Sequence, residues 1–170
     1  LGHDVPDEPT LFAKASTSVV GPDEEVIYYE GLDRVDHEVE LALVIGRECS
    51  RATRGNAMQF IAGYTIINDV TARNMQSGDM AKRNPWFRSK SFDSFGDPQA
   101  VQLTCRVNGE VRQNANTRDM LFTIPEMIEY ISARITLEPG DLIATGTPEG
   151  SGPVRPGDVM ECTIEKIGTL

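Results

Sequence analysis

Residues 38–46, which read EVELALVIG, constrain the fold of this chain more than any other segment. Val39, Leu41, Ala42, Leu43, Val44 and Ile45 form an apolar run with the length and branching of a buried strand. Side chains two positions apart on a strand share a face, so Glu38 and Glu40 project together. Their backbone anchors lie about 6.6 Å apart at the usual rise per residue, close enough for flexible side chains to converge on one point. Two like charges about 6 Å apart repel by about 3 kcal/mol at an effective dielectric of 20, and burial adds a desolvation cost. Either the strand lies at a sheet edge with both acids in water, or something positive offsets them.

Asp69 favours the second alternative. It ends an apolar segment at Asn68-Asp69-Val70-Thr71, where a core strand emerges and a carboxylate can face a cleft. Three acids with no His or Cys partner make an all-oxygen donor set, suited to Mg²⁺, with Mn²⁺ or Ca²⁺ as alternatives, and unsuited to structural zinc. By strand parity His37 points away from Glu38 and Glu40, which excludes it as a ligand.

The remaining punctuation describes one domain. No internal repeat or Pro/Gly-rich linker divides the 170 residues. Residues 56–63 read as a short helix with Met58, Ile61 and Ala62 inward, and 64–69 as a second strand. Residues 101–107 alternate in strand fashion into Asn108-Gly109, a type I′ turn signal, which predicts 110–113 as the returning partner. Thr123 and Glu126 have capping-box spacing and Pro125 sits early, predicting a helix to about Arg134. Pro139-Gly140-Asp141 marks a turn, 142–144 a short strand, 146–157 a Gly/Pro loop and 159–167 a closing strand. Strands outweigh helices, so the expected class is α+β, β-rich.

Charge narrows the partners. With 26 acidic residues against 16 basic ones, the net charge of -10 opposes binding to phosphate backbones, so nucleic acid is excluded as a partner. Apolar runs such as 41–45 fall far short of the roughly 20 residues that span a bilayer. Cys49, Cys105 and Cys162 are widely spaced without a CxxC pair and read as reduced thiols of a cytoplasmic protein. The opening Leu1-Gly2-His3-Asp4 has no signal-peptide pattern and no methionine start, which suggests a cut N-terminus.

Four strings then occur in a telling order: Asp36-His37-Glu38-Val39-Glu40-Leu41, Asn68-Asp69-Val70-Thr71-Ala72-Arg73-Asn74-Met75-Gln76, Lys90-Ser91-Phe92-Asp93 and Thr145-Gly146-Thr147-Pro148-Glu149-Gly150. Together they resemble the fumarylacetoacetate hydrolase family, and the similarity runs over essentially the whole chain, including Pro9-Thr10-Leu11-Phe12-Ala13-Lys14 and Leu137-Glu138-Pro139-Gly140-Asp141. The resemblance implies a mixed β-sheet roll or barrel with a few short helices, a homodimer and a small-molecule carboxylate substrate, often in aromatic catabolism. It assigns Glu38, Glu40 and Asp69 as metal ligands and Lys90 as the catalytic cation beside a substrate carboxylate or developing enolate. It implies substrate contacts from Gln76 and from Thr147 with its neighbouring amides. Arg73 would either brace Asp69, the favoured role, or bind a carboxylate directly.

The resemblance further implies a 2-oxo acid or 1,3-dicarbonyl substrate, with an enolate stabilised by the metal and hydrolytic C–C cleavage of an acylpyruvate type. An isomerase, tautomerase or decarboxylase would use the same enolate, and a binding module that lost its chemistry is the non-enzymatic alternative. Three departures are visible. The family's His-x-x-Glu dyad has no match, since His3 lacks a correctly spaced Glu and reads as a loop residue, so the lid carrying the dyad is expected to lie outside this chain. Phe95-Gly96 runs directly into Asp97-Pro98 where relatives carry a longer loop. Asn74 replaces the commoner Asp after Arg, and the closing strand stops early at Leu170.

Overall fold

The computed structural model describes residues 6–94, 103–165 and 167–170. The start of the strand expected at Val101, the shortened loop at Phe95-Gly96 and His3 lie outside them. Ten strands and three α-helices follow in order: β1 (Val35–His37), β2 (Val39–Ile45), β3 (Ile61–Asn68), β4 (Thr71–Ala72), α1 (Arg73–Ala81), α2 (Phe87–Lys90), β5 (Leu103–Val107), β6 (Glu110–Ala115), α3 (Ile124–Ser132), β7 (Leu142–Ala144), β8 (Gly152–Val154), β9 (Met160–Ile164) and β10 (Gly168–Thr169). The β-rich class with few short helices holds. All pairings among the described residues are antiparallel, in three sheets ordered β4-β1-β8, β10-β9-β5-β6 and β3-β2-β7, and no closed barrel forms among them.

The apolar run of 39–45 is continuous because β2 is the central strand of its sheet and packs against β5 of another. Val39, Leu41, Leu43 and Ile45 join Ile66, Leu103, Cys105, Ile128 and Ile164 in one core. The Asn108-Gly109 hairpin forms with φ of 52° and 79°, joining β5 to β6. At the start of α3, Glu126 accepts hydrogen bonds from both the backbone N–H and the hydroxyl of Thr123.

Three local expectations change. The 56–63 helix shrinks to a single 3₁₀ turn, Ala57–Phe60, that buries Ala57 and leaves Met58 exposed, because β3 already begins at Ile61. The 146–157 loop contains β8, whose Gly152-Pro153-Val154 pairs with β1 in full register; as an edge strand it tolerates a proline. The closing strand expected over 159–167 is shorter, Met160–Ile164, and β10 returns against it from beyond that range.

The sheets meet where β1 gives way to β2. Glu38 belongs to neither strand; its N–H donates to the Asn68 side chain and its carbonyl accepts from the Asp69 N–H. These two bonds pin the residue before β2 against the residue after β3. Arg73 and Gln76 stand on the first turn of α1, and Lys90 closes α2. The two helices are fastened by Arg88, whose guanidinium binds the buried Asp79 carboxylate through Nε at 2.8 Å and Nη2 at 2.5 Å. No helix among the described residues is long and apolar enough to cross a membrane.

Candidate metal centre

Glu38, Glu40 and Asp69 converge as the sequence led us to expect, with donor oxygens all within 4.8 Å of one another and all three residues buried. Glu40 gets there from β2, and Glu38 and Asp69 from the positions just before β2 and just after β3, pinned together beside it. Cations crowd two of the three. The Lys90 ammonium, 2% exposed, sits 2.8 Å from Glu38 Oε2 and 2.5 Å from Asp69 Oδ2. Lys14 lies 2.7 Å from Asp69 Oδ1 and donates a short bond to the Lys90 carbonyl.

Glu40 differs. It accepts a 2.7 Å hydrogen bond from the Gly146 N–H but has no ion pair among the described residues. Burial first, and the neighbouring Asp69 charge next, push its pKa up to about 8. A buried carboxylate without a cation, beside two others and facing a cavity, is the arrangement a divalent ion would satisfy. The residues present therefore fit an oxygen-coordinated cation. For Lys90, burial works against the charged form, but Asp69 and Glu38 outweigh it and raise its pKa. At Lys14 burial dominates and lowers the pKa despite Asp69.

The cluster opens on a cavity of about 640 Å³ lined by Glu38, Glu40, Arg73, Gln76, Lys90 and Thr147 together with an apolar side of Phe12, Met80 and Trp86. That is the volume of a small-molecule site. Phe12 and Trp86 rings meet at 5.5 Å, and Lys90 Nζ lies 5.1 Å from the Phe12 centroid.

The expected brace between Arg73 and Asp69 is not what forms. Arg73 donates to Asp36 at 2.8 Å, to Gln76 Oε1 at 2.7 Å and, by a short contact, to Glu38, while the two lysines take Asp69. The first turn of α1 abuts β1 and the residue that follows it, where the acids are Asp36 and Glu38. Thr147 also departs from expectation in detail: its hydroxyl donates to the Val39 carbonyl at 2.9 Å, so that proton is committed to the protein. The Gly146 amide is likewise committed to Glu40. His37 is buried, its Nδ1 3.0 Å from Gln113 Oε1, and plays no part in the acid cluster.

Sequence reasoning missed Lys14 and Gln113 as members of this network. Lys14 stood in the Pro9–Lys14 string that carried the resemblance, and that was its signal; Gln113 offered none beyond its hairpin position.

Fold and site together define a β-rich protein with a buried cluster of three carboxylates that fits a divalent cation, beside a ligand-sized cavity. Comparison with known proteins gives the family. Residues 2–170 match the model of the fumarylacetoacetate (FAA) hydrolase C-terminal domain, and the chain belongs to that family. It is 42% identical to the mitochondrial oxaloacetate decarboxylase of Dictyostelium discoideum, over 99% of this chain and 84% of that protein. It superposes with TM-score 0.92 and 42% identity on the 5-carboxymethyl-2-hydroxymuconate delta-isomerase of Mycobacterium smegmatis, covering 100% of this chain and 70% of that one. The fumarylpyruvate hydrolase of Pseudomonas aeruginosa, solved in complex with Mn²⁺ and pyruvate, matches with TM-score 0.89 and 28% identity over 94% of this chain and 75% of that one. The family thus includes decarboxylase, isomerase and hydrolase relatives on one scaffold.

Proposed function

We propose that this chain is the catalytic domain of a divalent-cation-dependent enzyme that acts on a 2-oxo acid or 1,3-dicarbonyl carboxylate, with hydrolytic C–C cleavage of an acylpyruvate-type substrate as its reaction. The observation that carries the reading is the buried triad of Glu38, Glu40 and Asp69 beside Lys90, next to a small-molecule cavity whose lining includes Glu38, Glu40 and Lys90. The triad would hold Mg²⁺ or Mn²⁺, which supplies a Lewis acid to polarise adjacent substrate oxygens.

The protein's own groups account for the rest. Lys90 is the proposed catalytic residue: a raised pKa keeps its ammonium charged where a substrate carboxylate or enolate oxygen needs a positive partner. Arg73 fixes Glu38 and orients the Gln76 amide, whose NH₂ is then directed to hydrogen-bond substrate from the cavity wall. The Gly146-Thr147 turn also lines the cavity, and its substrate contacts would come from groups other than the committed Gly146 amide and Thr147 proton. Phe12, Met80 and Trp86 shed water from the substrate's remaining atoms.

A second reading, an isomerase, tautomerase or decarboxylase, is supported by the 42% identity of the chain to both the decarboxylase and the isomerase relative. Those reactions need no activated water, and two of the relatives above bear such names. Turnover of an acylpyruvate, oxaloacetate and an unsaturated 2-hydroxydienedioate with Mg²⁺, each analysed for products, separates the readings. Cleavage of the acylpyruvate with uptake of water supports hydrolysis. Turnover of only the other two substrates replaces it with the second reading.

A further inference from the structure

Gln113 lies on β6, in a different sheet from the acid cluster, and is 1% exposed. Its amide makes four hydrogen bonds. Oε1 faces the Val39 N–H at 3.1 Å and His37 Nδ1 at 3.0 Å, the residues on either side of Glu38. Nε2 donates to Thr147 Oγ1 at 2.8 Å and to the Pro148 carbonyl at 2.9 Å. A backbone N–H can only donate and a carbonyl can only accept, so the amide's orientation is fixed by its partners and cannot flip.

A second observation brings the same loop onto the same strand. Gly150 has φ of +95°, and a Cβ placed there would stand 2.1 Å from the Arg112 carbonyl oxygen and 3.3 Å from Gln113 Cγ. The 146–150 turn is thus pressed against β6, with a glycine where only a glycine fits.

We infer that Gln113 is a positioning residue: it sets the Gly146-Thr147 wall of the cavity at a fixed distance from the segment that bears Glu38 and Glu40. The inference rests on the reading of that cavity as a 2-oxo acid site. Gln113 does not itself line the cavity; it reaches it only through Thr147. Its acceptor side holds the acid-bearing segment and its donor side holds the ligand wall, so the two sides are separable by mutation. Gln113→Glu keeps an acceptor toward Val39 and His37 and, in its ionised form at alkaline pH, replaces the donor with a second oxygen facing the Pro148 carbonyl. Thr147 cannot compensate, because its own proton already goes to Val39. Gly150→Ala acts on the same wall from the β6 side, because the added Cβ meets the Arg112 backbone and Gln113 and not the acids themselves.

The test uses Mn²⁺ and pyruvate as probes, with Mn²⁺ affinity measured first and pyruvate affinity then measured on the Mn²⁺-loaded protein. For both variants Mn²⁺ affinity is expected to stay within about threefold of wild type while pyruvate affinity falls about tenfold or more, the scale of one or two lost buried hydrogen bonds. A purely structural role would move both affinities together or neither. Wild-type pyruvate affinity in both variants, or a parallel loss of Mn²⁺, overturns the inference. If Gln113→Glu does not fold, Gly150→Ala decides alone. Wild-type protein that takes up Mn²⁺ but no pyruvate overturns the reading of the cavity, and this inference with it.

Discussion

Lys90 Nζ lies 2.8 Å from Glu38 Oε2, and both side chains are buried. A lysine this deep is stable only because Glu38 and Asp69 surround it, and those acids in turn depend on it. Replacing Lys90 by Met leaves both carboxylates with less compensation. We expect the metal-free variant to lose about 3 kcal/mol of stability, the scale of a broken buried pair. Saturating Mg²⁺ should restore much of that. Thermal unfolding with chelator and with Mg²⁺ checks it; equal destabilisation in both would contradict the account.

The pKa of Glu40 gives a pH dependence with a definite sign. In the metal-free fold burial raises it from 4.5 to about 8, so the folded state prefers the protonated acid. Its contribution to stability is full below pH 4.5 and declines as pH rises toward about 8. Glu40→Gln should flatten this part of the curve. Cation binding requires the ionised form, so affinity for Mg²⁺ should increase with pH over the same interval. Denaturant unfolding in chelator and Mg²⁺ titration, each from pH 5 to 9, measure the two trends, which run in opposite directions.

Arg73 supports the centre through a planar fork that reaches Asp36, Glu38 and Gln76 at once. Lysine offers no such fork. Arg73→Lys is expected to weaken cation affinity by about 10-fold to 100-fold, as loss of a group that orients a ligand does. An unchanged affinity by calorimetry would remove Arg73 from the supporting role.

The core carries its own expectation. Leu43 is fully buried at the middle of β2, between β3 and β7. Leu43→Ala should cost about 2–5 kcal/mol. Leu142, on the edge strand β7 and 40% exposed, should cost far less when replaced by Ala. Chemical denaturation compares the two directly.

Much of the centre was legible because its acids announce themselves locally. Glu38 and Glu40 share a short apolar segment, and Asp69 directly follows the strand that pairs with it. Even so, strand parity is only part of the cause, since Glu38 lies between β1 and β2 and is turned inward by its bonds to Asn68 and Asp69. Lys14 and Gln113 were hidden for a different reason. They join the site across 55 and 74 residues of sequence, through contacts that exist only once the sheets are assembled. Helix α1 carries no apolar stripe; the side chains it buries are Gln76 and Asp79, so hydrophobic periodicity could not reveal it. Strand β8 is disguised by its own Gly-Pro sequence.

The central claim is that Glu38, Glu40 and Asp69 form one cation site. Calorimetric titration of the chelator-treated protein with Mn²⁺, for wild type, Glu40→Gln and Asp69→Asn, tests it most directly. One ion per chain in wild type, with affinity lower by on the order of 100-fold in each variant, is the expected result. Equal stoichiometry and affinity in all three proteins would contradict it.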